Sequence, residues 1–206
     1  MTILLKIVEY ITIFTGLRFI VYFILQHDKL SQLASTMFHA SICVLTTLYY
    51  MFNIANGIYD TNIINFIRIW SMSYFIYDLS NCLPKRKWIY VIHHVGSIFI
   101  FMYMLPTYVR DYDGNLFIFG IWASELGNFA VYNVNYKIYM KKRISKLDLF
   151  YEVLAFSIWR NIIGIVIILS LQSILYKFVG FFVWIMSVWW GYGVIRQLYR
   201  KIIQEI

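Results

Sequence analysis

ILLKIVEYITIFTGLRFIVYFIL fills residues 3–25, and its reading decides the fold. Only Lys6, Glu9 and Arg18 interrupt an otherwise apolar or weakly polar run. At about 1.5 Å of rise per residue, about 20 helical residues cross a hydrocarbon core, so this stretch is long enough to span one. It is too long for a signal-peptide core and has no small-residue cleavage site, so it is expected to persist as a membrane helix.

The rest of the chain repeats the pattern. Of 206 residues, 61% are hydrophobic and only 14% charged, where a soluble domain carries about 25% charged residues. Apolar runs at roughly 3–25, 32–52, 62–82, 88–106, 115–136, 148–171 and 178–198 predict an all-α polytopic membrane protein with seven transmembrane helices. The breaks are HDKLSQ, NIANGIYDTN, LPKRK, PTYVRDYDG, YKIYMKKRISKLD and the short QSILYKF. The net charge of +8 comes largely from these gaps. That placement fits membrane topology and excludes a nucleic-acid-binding face. With the N-terminus outside, Lys29, Lys85–Lys87, Lys137–Lys146 and Arg196–Lys201 all fall on the cytosolic side, as the positive-inside rule requires. Cys43 and Cys82 lie in apolar segments and read as buried thiols.

Ionisable residues at membrane depth are costly and mark candidate sites. Asp78 stands six residues before Pro84, and His93 six residues after Lys87, on a hairpin turned by LPKRK. Both should lie about 10 Å from the turn, with His39 reaching a similar depth of roughly 12 Å on the second span. His39, Asp78, His93 and His94 thus share one layer. Adjacent helical positions diverge by about 100°, so His93 and His94 face different ways. A carboxylate beside an imidazole suits general acid–base chemistry; on the residues alone, interhelical hydrogen bonding ranks slightly ahead of it. Glu125 and Arg160 are equidistant from the KKRISK loop and should pair or share a polar cavity. Arg18 and Arg68, nearer span ends, are expected to snorkel. Asp111 and Asp113 fall on an outer loop. No Gly-rich phosphate loop, zinc-spaced Cys/His set or serine-nucleophile motif is present, so no metal site is expected.

Several segments, in order, resemble the TLC-domain family, which includes ceramide synthases and translocating-chain-associating membrane proteins. They are LASTMFHASICVLTTLYY at 33–50, SYFIYDLSNCL at 73–83, IHHVGSIFIF at 92–101, ASELGNFAVYN at 123–133 and SVWWGYGVIRQLYRK at 187–201. The chain is most similar to the short TLC-domain proteins, with Gly127 and Phe129 where the family motif has Ser and Pro. The resemblance implies an N-terminal transmembrane helix and turn at 1–30, a TLC domain at 31–201 and a tail at 202–206. In that domain six helices would ring a lipid-accessible cavity.

The resemblance further implies a protein that handles long-chain lipids in an endoplasmic-reticulum-type membrane. In its enzymatic form it would be an acyl-CoA-dependent sphingoid-base N-acyltransferase. His93, His94 and Asp78 would then be catalytic, with His39, Glu125, Asn128 and Arg160 contacting substrate. The co-substrate would be acyl-CoA, with no tightly bound cofactor, and the partners would be membrane lipids. The competing expectation is a non-catalytic factor that binds lipid, controls membrane composition or escorts proteins. A proton-coupled channel or transporter ranks third, because no inverted repeat or broken-helix pair is visible.

Overall fold

The computed structural model describes residues 2–58, 60–104 and 112–203. These residues are helical throughout, with no strand among them. The helices are α1 (Ile3–Leu25), α2 (Asp28–Ala55), α3 (Thr61–Cys82), α4 (Trp88–Met104), α5 (Tyr112–Tyr139), α6 (Lys146–Phe156), α7 (Ile163–Ser170) and α8 (Ile174–Ile203). A π-helical turn, Ser157–Ile162, joins α6 to α7 as one continuous rod, so the described residues form seven helical rods. Four of these are long and apolar enough to cross a membrane: α1, α2, the Lys146–Ser170 rod and α8. Of the other three spans expected, α3 and α5 are long but interrupted by polar residues, and α4 is apolar, with 17 described residues.

The chain divides into two compact units, one running to Ile118 and one beginning at Phe119. The first holds α1 to α4, with α3 in contact with α1, α2 and α4. Helix starts follow local chemistry: His27 Nδ1 accepts from Leu30 N–H (3.3 Å) at α2, and Asp60 Oδ1 accepts from Asn62 N–H (2.8 Å) at α3. Most of α1 exposes Leu, Ile and Phe side chains, and only Phe14 is fully buried. The Phe14 ring enters an aromatic cluster of Phe38, Trp70, Tyr74 and Tyr77. Four residues on, Arg18 donates to Asn81 on α3 and to Asp28 on α2 (2.5 Å). Lys85 lies 3.6 Å from the same carboxylate.

These contacts correct two expectations. Arg68 does not snorkel; it is only 2% exposed, enclosed on a helix packed by three others. Arg18 donates hydrogen bonds to two neighbouring helices. Asp113 belongs to the first turn of α5 and is buried, whereas a loop was expected; an acidic residue there complements the helix dipole. Asp111 lies outside the described residues.

In the second unit, a capping box starts α6. Asp148 N–H donates to Ser145 Oγ (3.1 Å), and Ser145 N–H donates to Asp148 Oδ2 (2.9 Å). Lys137 adds an ion pair to Asp148 at 2.5 Å. Helix α8 packs along the α6–α7 rod, and small residues allow this close approach. A Cβ on Gly191 would meet Asn161 Nδ2 at 3.0 Å and Phe156 at 3.3 Å. Asn161, in the π turn, also ties to α8: its carbonyl accepts from Trp184 Nε1 (2.8 Å), and its side-chain oxygen from Ser187 Oγ (3.1 Å).

Candidate functional site

The α3–α4 hairpin brings Asp78 and His94 together. His94 Nε2 lies 2.8 Å from Asp78 Oδ2, with both residues buried. A carboxylate can only accept, so Nε2 carries the proton and the neutral ring keeps its lone pair on Nδ1. That Nδ1 is buried and has no hydrogen-bond partner among the described residues. The other carboxylate oxygen, Asp78 Oδ1, accepts from Gln32 Nε2 on α2 at 3.0 Å. Three helices therefore fix one carboxylate, and the carboxylate fixes one imidazole.

His93 is half-buried, with its ring centroid 5.3 Å from that of His94. His39 is 1% exposed, stacked on Tyr74 at 4.0 Å, with Nε2 3.4 Å from Ser71 Oγ and 3.3 Å from Cys43 Sγ. The Phe75 ring gathers all three imidazoles: its centroid lies 6.0 Å from His39, 5.7 Å from His93 and 5.4 Å from His94. Three of the four residues expected to share a layer thus meet around one phenyl ring, and Asp78 joins them through His94. His39, however, is packed into aromatic core.

The second unit gathers the remaining candidates. Glu125, Asn128 and Tyr132 follow one face of α5 at helical spacing. Asn128 Nδ2 donates to Glu125 Oε2 (3.1 Å), and Tyr132 Oη donates to the same oxygen (3.3 Å). Arg160 Nη1 donates to Asn128 Oδ1 at 2.7 Å. Asn128 thus links the buried acid to the base, in place of the direct pair or shared polar cavity that was expected. The Arg160 guanidinium also lies over the Phe156 and Trp190 rings, at 5.2 and 5.4 Å. Gly127 makes room for it, since a Cβ there would stand 2.9 Å from Arg160 Cγ.

Sequence reasoning missed Gln32, Phe75, Tyr132 and Cys82. The Cys82 signal was available: it follows Asp78 by one helical turn, and its Sγ lies 3.7 Å from Asp78 Oδ2. Asp78, Cys82 and His94 each present one ligand atom within 4.8 Å of the others. They form a mixed O, S and N donor set of the kind zinc accepts. A search for zinc-spaced Cys/His pairs overlooks it, because its members are split between two helices.

Fold and site define an all-helical protein with four helices long and apolar enough to cross a membrane and a buried imidazole–carboxylate pair. Comparison with family models, curated proteins and solved structures returned no match.

Proposed function

We propose that this chain is a multi-pass membrane protein of the TLC type that handles long-chain lipids, with the Asp78–His94 pair at its site. In this reading all seven rods cross the membrane, the last six form the ring, and the basic gaps face the cytosol of an endoplasmic-reticulum-type membrane. The polar residues of α3 suit that reading: Arg68, Ser71, Ser73 and Asp78 are all buried, so none needs to meet lipid.

The observation that carries the proposal is the 2.8 Å contact between two buried groups, with His94 Nδ1 left unbonded. Asp78 positions the ring and stabilises its charged form, leaving Nδ1 as a base. In N-acyl transfer, Nδ1 would take the proton of a sphingoid amine as its nitrogen attacks the acyl-CoA carbonyl. The C–S bond then breaks, and the departing thiolate takes the proton back. His93, half-buried beside it, would contact the substrate.

A second reading, a non-catalytic lipid-binding or trafficking factor, is favoured by the tight packing of His39 on Tyr74. One experiment separates the two. Purified wild type, His93→Ala and His94→Ala are incubated with long-chain acyl-CoA and a sphingoid base, and both product and co-purified lipid are read by mass spectrometry. Product from wild type that disappears in His94→Ala supports acyl transfer. Equal lipid retention without product in all three proteins rejects it in favour of binding.

A further inference from the structure

The second unit carries a basic pocket that the site above does not use. The loop between α5 and α6 and the last turns of α8 form an open concavity of about 640 Å³, within the range of small-ligand sites. Lys142, Arg143, Arg196, Arg200 and Lys201 line it, with Leu149 also on the wall. Among the described residues that line it, none is a carboxylate. The neighbouring acid, Asp148, is engaged by Lys137 and by the Ser145 cap.

Ordinary causes account for part of this charge. Basic residues accumulate in gaps between spans, and Arg200 and Lys201 complement the dipole at the end of α8. Neither cause requires a loop pair and a helix some 50 residues later to converge on one concavity. The surroundings identify the kind of ligand. Leu147, Phe150 and Tyr151 at the start of α6, and Tyr192 and Tyr199 on α8, are large and exposed. Both helices belong to rods long and apolar enough to cross a membrane. A cationic pocket on two helices that also expose apolar and aromatic side chains matches a phosphorylated head on an acyl tail.

We propose that this pocket binds the headgroup of an anionic, multiply phosphorylated membrane lipid, with the tails lying along the exposed faces of α6 and α8. Basic pockets at the ends of membrane helices hold such headgroups, each cation contributing about fivefold in affinity. This proposal is independent of acyl transfer, whose proton-transfer pair Asp78–His94 lies in the first unit, so either can fail alone.

The test uses the full chain in neutral detergent, titrated with short-chain phosphatidylinositol bisphosphate, free inositol trisphosphate and inorganic phosphate. Wild type is compared with Arg143→Gln/Arg196→Gln/Arg200→Gln and with Lys85→Gln/Arg86→Gln/Lys87→Gln. The second triple variant removes the same charge from the α3–α4 turn. Thermal unfolding confirms that all three proteins are folded. The lipid should bind wild type, weaken at least tenfold in the pocket variant and change by less than about twofold in the turn variant. Equal weakening in both variants would show diffuse charge attraction and overturn the site. Equal affinity for inositol trisphosphate or phosphate and for the lipid would overturn the lipid assignment, and no lipid binding would overturn both.

Discussion

Removing the carboxylate of Asp78 tests whether the His94 contact is an energetic pair or an incidental neighbour. A charge-assisted hydrogen bond contributes about 1.5–3 kcal/mol in soluble proteins, whereas side-chain bonds inside membranes average about 0.6 kcal/mol because the separated helices find other partners. The local geometry places this pair toward the upper part of that span. Its length is 2.8 Å, Asp78 is 7% exposed and His94 is 4% exposed. Gln32 holds the second oxygen at 3.0 Å, so the carboxylate is not free to turn elsewhere. Asp78→Ala leaves the buried His94 donor and the half-buried Gln32 donor without their acceptor, at a cost of about 2–4 kcal/mol. A double-mutant cycle with His94→Ala should return a coupling of about 1.5 kcal/mol, below the single loss because Gln32 remains stranded. The assay is reversible unfolding in mixed micelles by added SDS, followed by tryptophan fluorescence. A coupling below about 0.5 kcal/mol would refute the reasoning.

Two further perturbations address the second unit. Asn128→Leu keeps side-chain bulk but breaks the link between Glu125 and Arg160; it should cost about 2–3 kcal/mol in the same unfolding assay, and a loss under about 0.5 kcal/mol would count against the link. Gly191→Ala places a methyl 3.0 Å from Asn161 Nδ2 and should destabilise by about 1–3 kcal/mol, while Gly16→Ala, with nothing within 4 Å, should be neutral or stabilise by up to about 1 kcal/mol. Equal responses at the two glycines would show that α8 does not depend on that close approach.

What could be read in advance follows from what each signal measures. The helical rise fixes position along an axis, so counting from the LPKRK turn was enough to place Asp78 and the histidine doublet near one level. It carries no information on where around the axis a side chain points without a neighbour to fix the phase. That is why Gln32, which reaches Asp78 from α2, and Phe75, which sits between the imidazoles, were not foreseen. The same limit hid the Asp78–Cys82–His94 donor set, since its third member comes from another helix. Asn128 was legible as a polar residue one turn from Glu125. Its bridging role depended on Arg160 entering from a π turn, a local widening that leaves no clear mark in SIWRNI.

Arg68 shows why hydropathy and burial part company along α3. Hydropathy averages a helix around its whole circumference, as though every face met the same medium. Helix α3 instead contacts α1, α2 and α4. Its buried residues include Arg68, Ser71, Ser73 and Asp78 beside Ile67, Trp70 and Tyr77. For such a helix the surrounding medium is largely protein, and polar residues are retained wherever neighbours supply partners. Low mean hydropathy in α3 therefore reports polar groups enclosed by other helices. In α1, where most large side chains are exposed, high hydropathy reports the surroundings directly. The most polar long helix of the first unit is thus also its most enclosed, and it is the one that carries the carboxylate of the site.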